Sequence, residues 1–281
     1  MPDRQPLHDV SLICVDTRHP DQAWWAIQRC QASLEFAVTA FFCPAEWTPP
    51  SHDCGCAPDA VLHPIAAIRS IEDYNRFMLT GLAKHVRTSH ALVVQWDGFV
   101  SEPARWSDDF LQWDYIGAPW YHGDSAGSVG NGGFSLRSRK LLLALAEIDH
   151  PDTREPEDMA ICVTLRPRLE AMHDIRFAPL EVAQRFACEY GAFRPAFGFH
   201  GMHNFAHALA PDVLARWLDG CPPDILTSQH ARKLVKSLMQ NGKSSQAIDL
   251  LRRRIRQQGP TPDNLKLMIR SVARRIQETF V

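Results

Sequence analysis

Ser11–Asp16, SLICVD, is followed by Pro20–Leu34, PDQAWWAIQRCQASL, and then by Phe36–Cys43, FAVTAFFC. The outer stretches are short and apolar, as buried strands are. Between them Ala23, Trp24, Ile27, Cys30 and Leu34 recur at helical spacing. A strand, a helix and a second strand in that order predict a parallel pair joined by a right-handed crossover, the unit of an α/β sheet. Ala60–Ile65, Ala91–Val94 (ALVV) and Tyr115–Ala118 (YIGA) read as further short strands. Ser70–Val86 reads as a helix: Ile71, Tyr74, Phe77, Met78 and Leu82 form its stripe, Ser70 caps it, and Asp73 stands at the capping-box position. Helices are also expected over Arg137–Asp149, Glu157–Glu170 and Pro179–Glu189, with a strand at Ile175–Ala178.

The chain has 281 residues, 45% hydrophobic and 22% charged. That length and balance suit a body with a substantial core and exclude a disordered chain. No apolar run approaches the ~18–20 residues of a membrane span, and MPDRQPLHDV lacks a basic-then-apolar leader pattern. A cytoplasmic location is the expectation. The eight cysteines are scattered and read as mostly reduced thiols. His52, Cys54, Cys56 and His63 carry zinc-ligand chemistry, but the Cys-x-Cys spacing is tight and Pro49, Pro50 and Pro58 stiffen the stretch, so a surface loop is the plainer reading.

Charge is unevenly placed. Thr227–Val281 holds twelve Lys and Arg against three Asp and Glu, while the rest holds eighteen against twenty-nine. The basic segment is periodic over Ser228–Gln240, Ser245–Gln257 and Pro262–Thr279, with breaks at Asn241-Gly242 and Gly259-Pro260. A division into a body, 1–225, and a basic helical extension, 226–281, is expected. Such an extension suits an anionic membrane face or an acidic partner. It also suits a merely solvated surface packed on the body. Nothing interleaves aromatic with basic residues in the way of nucleic-acid binding, and none is expected.

Ligands of α/β sheets sit beyond the carboxyl ends of the strands. Asp16 and Gln95-Trp96-Asp97 fall there. Asp97 reads as a turn-forming Asp-Gly or as a carboxylate for a divalent cation. Val129–Arg137, VGNGGFSLR, has three glycines in four positions. It is a tight turn or a loop whose main-chain N–H groups approach a ligand, and it matches neither a Walker loop nor a dinucleotide fingerprint. Glu157 and Asp158 follow Pro156 at a helix start, where acids complement the helix dipole or, facing a pocket, act as a general base. His200, with His203 two residues past Gly201, is either a core imidazole or a ligand and base.

These elements occur in the order shown by glycosyltransferases of the GT-A fold. The stretches SIEDYNRFMLTGL (70–82), TSHALVVQWDGFV (88–100), WDYIGAPW (113–120), VGNGGFSLRSRKLL (129–142), PEDMAIC (156–162), IRFAP (175–179) and FGFHGMHNF (197–205) resemble an uncharacterised, mostly bacterial family assigned to that fold. The resemblance spans roughly residues 8–210. It implies a GT-A-like, Rossmann-like, mostly parallel sheet with flanking helices, followed by the helical tail.

It further implies that Gln95-Trp96-Asp97 stands where such enzymes carry Asp-x-Asp, with Gln95 in place of the first acid. Asp97 and His200 would hold Mn2+ or Mg2+, and Asp158, beside Glu157, would be the catalytic base. Asp16 would lie near the nucleotide base or ribose, and Asn131, Gly132 and Gly133 beside the donor sugar. Arg137 is the expected side chain for neutralising phosphate should the metal be weakly held. The implied activity is inverting transfer of a sugar from a nucleotide sugar to a hydroxyl on a glycan or lipid-linked acceptor, in surface polysaccharide or glycolipid synthesis at the inner face of a membrane. Gln95 also suits a degenerate module that binds a sugar nucleotide or glycan without transfer. A nucleotidyltransferase is disfavoured because no Gly-rich phosphate loop follows the first strand.

Overall fold

Strand β1 (Gln5–Val15) passes through helix α1 (Pro20–Gln31) into β2 (Leu34–Pro44) and on to β3 (Val61–Ile65). The computed structural model describes residues 4–50, 59–120, 129–148 and 154–279. β1 and β2 are parallel, with Leu12 opposite Thr39 and Ile13 opposite Ala40, as the strand–helix–strand order requires. Helix α2 (Ile71–Arg76) starts where Ser70 Oγ accepts the Asp73 N–H at 3.2 Å. It runs on as a π turn over Phe77–Gly81 and a tighter turn over Leu82–Lys84. β4 (His90–Val94) returns to the sheet parallel to β1, every one of its residues buried.

β5 (Phe99–Val100), β6 (Tyr115–Gly117) and β7 (Phe134–Ser138) follow, then α3 (Arg139–Glu147). Six strands form the main sheet in the order β3-β2-β1-β4-β7-β6. β7 runs antiparallel to both neighbours, so the other five share one direction and the sheet is mostly parallel. One face packs Ile13, Val15, Phe42 and Val93 against Met78, Leu82 and Leu142 of α3. On the side of α3, Leu141 and Leu145 join Tyr115, Ile161, Leu169 and Phe177 in a second cluster.

β7 departs from the sequence expectation. The pattern over Phe134–Ser138 reads as the end of a Gly-rich loop and the start of a helix, yet the segment is a buried strand in the heart of the sheet. Phe134 and Leu136 do alternate, but Ser135, Arg137 and Ser138 occupy positions where a buried strand ordinarily carries apolar residues. Ser138 Oγ instead caps α3, accepting from Leu141 N at 3.0 Å, so the helix begins at Arg139.

Two more expectations shift. The 157–170 helix is broken into α4 (Glu157–Met159), a π turn over Ala160–Thr164, and α5 (Arg166–His173). Pro167, at the start of α5, has no N–H to continue the earlier helix. Ile175–Ala178 makes only the single bridge Tyr115 to Phe177. The 179–189 segment divides into α6 (Leu180–Phe186) and β8 (Ala187–Cys188), and β9 (Gly198–Phe199) completes a small sheet in the order β5-β9-β8.

By internal contacts the chain divides into two units, Met1–His200 and Gly201–Val281. The second is helical: α7 (Phe205–Ala208), α8 (Pro211–Asp219), α9 (Pro223–Thr227), α10 (Gln229–Gln240), α11 (Ser244–Gln258) and α12 (Pro262–Thr279). The three periodic segments of the tail are thus helices within a residue or two of their expected bounds. Among the described residues no helix is long and apolar enough to cross a membrane. The six described cysteines, Cys14, Cys30, Cys43, Cys162, Cys188 and Cys221, are buried free thiols. Of the four residues with zinc-ligand chemistry, only His63 lies within the described residues, where its ring stacks on Phe42. His52, Cys54 and Cys56 lie outside them.

Arg137 is wholly buried, and its Nη2 lies 2.9 Å from Glu157 Oε1. A buried ion pair is costly to break because the orphaned charge stays in the interior. Arg137→Leu is therefore expected to destabilise the first unit by about 3–5 kcal/mol. Arg137→Leu with Glu157→Leu should recover most of that loss. Urea unfolding followed by tryptophan fluorescence reads both, and a double variant no more stable than the single one would contradict the pairing.

Candidate functional site

The small sheet decides which side chains meet. β4 turns into β5 through a two-residue tip: Gln95 N donates to Gly98 O at 3.2 Å and Gly98 N to Gln95 O at 3.0 Å, leaving Trp96 and Asp97 at the tip. β5 then pairs antiparallel with β9, Phe99 opposite Phe199. β8 pairs parallel with β9, Cys188 opposite Phe199, and His200 N donates to Cys188 O at 2.9 Å. The residues just past these pairs are Asp97, Glu189 and His200, so they lie side by side.

His200 sits between the two acids. Its Nδ1 lies 3.1 Å from Glu189 Oε1, and its Nε2 lies 3.3 Å from Asp97 Oδ1 and 3.2 Å from Gln95 Oε1. Burial disfavours the imidazolium, but Asp97 and then Glu189 outweigh it, and the His200 pKa is pushed up to about 10. Gln95 is oriented from behind, its Nε2 donating to the Tyr74 hydroxyl at 2.8 Å, which turns its oxygen toward His200.

The loop before β7 closes the site. Asn131 is left-handed, with φ of 60°, a conformation that asparagine tolerates better than most residues. Its Oδ1 accepts from Gly133 N at 3.1 Å and Phe134 N at 3.2 Å, which folds the loop on itself. Its Nδ2 donates to Glu189 Oε2 at 2.7 Å and lies 2.9 Å from His200 Nδ1. The glycines answer a different need. A Cβ on Gly132 would stand 1.9 Å from Glu157 Oε1, and one on Gly133 would stand 2.2 Å from His200 Nε2. Neither glycine has a positive φ. Absence of a side chain, rather than backbone freedom, is what these two positions require.

Glu157 and Asp158 divide their duties. Glu157 is buried against Arg137, whose Nη2 also reaches Gly132 O at 3.2 Å and whose Nε donates to Ser135 Oγ at 3.0 Å. Burial raises the Glu157 pKa and Arg137 opposes that rise. Neither Arg137 nor Glu157 presents a charge to solvent. Asp158 is half-buried, and its Oδ2 accepts from Gly132 N at 3.2 Å. Gly132 and Gly133 are consecutive, so the Asp158 carboxylate and the His200 ring flank a single peptide unit.

Asp16 follows β1, the strand beside β4. Its Oδ1 accepts from Arg18 N and His19 N, both at 2.7 Å, so it shapes the turn into α1. Burial raises its pKa, with Asp97 adding to the rise. Trp96 is half-buried and meets the edge of His19 at 6.2 Å between centroids. Tyr190 is 42% exposed, and its hydroxyl is pushed up to about 12 by burial and by Glu189, Asp158 and Asp97. The structure thus gathers Asp16, Gln95, Trp96, Asp97, Asn131, Gly132, Gly133, Asp158 and His200 at one end of the sheet.

Four participants are not singled out by the sequence: His19, Tyr74, Glu189 and Tyr190. Tyr74 is visible there only as a stripe residue of its helix. Glu189 is the last residue of an expected helix and Tyr190 the next, and the available signal is the Glu-Tyr-Gly run at its end.

Among the described residues no group of three or more His, Cys, Asp and Glu is arranged to hold a metal ion. A pair with an amide oxygen is present. His200 Nε2 faces two acceptors, Asp97 Oδ1 and Gln95 Oε1, at 3.3 and 3.2 Å. Neighbouring ligands on a six-coordinate cation with bonds of ~2.1 Å stand ~3 Å apart. The donor chemistry and spacing therefore fit a divalent cation that displaces the imidazole proton.

A search of curated proteins finds no match. Among solved structures, the chain is similar to S. aureus TarS 1-349 at 12% identity, over 96% of this chain and 88% of that one, with a TM-score of 0.37. It is also similar to S. aureus TarS at 12% identity, over 96% of this chain and 54% of that one, with a TM-score of 0.36. The chain therefore spans about half the length of the longer TarS structure. Residues 60–200, from just before β3 through His200, match a family model and include every gathered site residue except Asp16. With just over half its length matched, the chain belongs to the family described as Protein of unknown function (DUF5672).

Proposed function

We propose that the chain is a glycosyltransferase that moves a sugar from a nucleotide sugar to a hydroxyl acceptor. The observation that carries this reading is the convergence of Asp97, His200 and Asp158 on the Asn131-Gly132-Gly133 loop, at the carboxyl ends of β1 and β4. A buried acid paired with a partly exposed imidazole, and a separate half-buried carboxylate, with only a glycine loop between them, offer an electrophilic end and a basic end to one substrate.

Trp96, His19 and Asp16 form the wall on which the nucleoside rests. The diphosphate lies toward Asp97 and His200, and Asn131–Gly133 flanks the sugar. Asp158 accepts the proton of the acceptor hydroxyl while that oxygen forms its bond to the anomeric carbon. The bond from that carbon to the diphosphate oxygen breaks, and the nucleoside diphosphate leaves with the electron pair. Configuration is inverted. Held by Asp97, His200 and the Gln95 amide oxygen, Mn2+ or Mg2+ would supply positive charge to the leaving diphosphate. Glu189 holds the His200 ring in place through Nδ1, the outer carboxylate that metal-ligating histidines commonly have. Arg137 and Glu157 fix the loop rather than touch phosphate. The acceptor is a glycan or a lipid-linked sugar, with Tyr190 an exposed ring beside the site. Gln95, in place of an acid, is the one residue favouring a module that binds sugar nucleotides without transferring them.

Calorimetric titration of UDP, GDP, dTDP and CMP, each with and without Mn2+, tests the donor site. One nucleotide should bind only with metal, and Asp97→Ala should weaken it at least about tenfold. Failure of all four under both conditions would remove the donor-site assignment.

Asp158→Asn separates transfer from binding. It should leave nucleotide affinity within about twofold while lowering donor turnover by about 10²–10⁴, the range for loss of a general base. Wild-type protein that binds the nucleotide sugar yet never turns it over, with any acceptor offered, would establish the binding-module reading instead.

A further inference from the structure

Helix α12 buries one face and leaves a second apolar stripe uncovered. Asn264, Leu267 and Ser271 are buried, whereas Leu265, Ile269, Val272 and Ile276 are 46%, 70%, 43% and 55% exposed. These four recur at spacings of four, three and four, which sets them on one line along the helix for about 17 Å. Four large aliphatic side chains in a continuous exposed row are more than scattered surface residues.

The charges around the stripe have one sign. Lys266 and Arg275 border it, one on each side, and both are exposed, while Arg270 and Arg274 are exposed further round the helix. The two acids of the helix are committed within the unit. Asp263 accepts from both Nε and Nη2 of Arg232, at 2.7 and 2.8 Å, and Glu278 accepts from Ser244 Oγ at 2.7 Å.

We propose that this face of α12 docks on an anionic lipid surface, with the four aliphatic residues in the headgroup–acyl boundary and the basic residues at the phosphates. An apolar stripe bordered by Lys and Arg is the build of a helix that lies in the membrane interface, and the long basic side chains reach the headgroups while their stems cover apolar surface. A second copy of the same helix fits less well. Its spacing is that of a coiled-coil seam, but the positions flanking the seam are Lys266, Met268, Ala273 and Arg275. No acid stands there to pair with a base across a dimer, and like charges would meet. The docking surface does not depend on what the site in the first unit does.

Flotation of the full chain with vesicles tests this, using phosphatidylcholine alone or mixed with phosphatidylglycerol. The chain should float with the mixed vesicles and not with phosphatidylcholine alone, and high salt should reduce binding. Ile269→Asp with Ile276→Asp, and separately Lys266→Glu with Arg275→Glu, should each lower binding at least about tenfold. These side chains are exposed, so thermal melting followed by circular dichroism should stay unchanged in both variants. Wild-type protein that ignores mixed vesicles, or the aspartate variant binding as well as wild type, would overturn the proposal. So would a wild-type dimer in sedimentation that the aspartate substitutions convert to monomer without any vesicle binding, which would assign the stripe to a second copy.

Discussion

A guanidinium removed from water has to find a carboxylate, and the site of this protein is arranged around that need. Arg137 lies on the one antiparallel strand of the main sheet with no exposed surface. Its partner, Glu157, comes from the first turn of α4. Bringing α4 to the strand also brings Asp158, one residue on, to the N–H of Gly132. The same guanidinium holds the Gly132 carbonyl. One buried pair thus sets both the loop and the carboxylate that faces it, and the loop has no room for a Cβ because Glu157 already fills that space.

The second constraint is the three-stranded sheet. Each of its strands is two residues long, too little to be stable alone. Aromatic packing supports it: Phe99 meets Phe199 and Trp25 edge-on, and Phe197 packs with Phe110, Phe134 and Phe186. Gly198 is glycine because a Cβ would stand 2.1 Å from the Phe134 ring. The product of this packing is polar: three strand ends that deliver Asp97, Glu189 and His200 to one point.

Much of this is legible in the sequence, for reasons that differ by element. β1, α1, β2 and β4 are buried runs or single-period helices, where local pattern and tertiary environment agree. β7 is not legible, because its buried Arg137 and Ser135 are satisfied by a residue twenty positions away or by the loop itself. Glu189 is hidden for a related reason: its role depends on the register of β8 against β9, which no local pattern encodes. Asn131 stands out in the sequence only with the glycines beside it. Its left-handed φ makes it the residue that bends the loop, and the glycines are there for closeness.

A neutral side chain at Gln95 sets the electrostatics of the site in a way that the geometry clarifies. Two acids at positions 95 and 97, with Glu189 nearby, would place three negative charges around one imidazole. With Gln95 neutral and its amide turned by Tyr74, two carboxylates remain for one imidazolium, a net charge of −1 before any cation enters. A divalent cation taking the imidazole proton would leave that neighbourhood at zero rather than at −1, with the ring held between Glu189 and the new charge. On the proposed reading, these residues would then meet a diphosphate with less repulsion than they carry alone. Cation and diphosphate binding would be coupled on that proposal, because each would lower the electrostatic cost of the other.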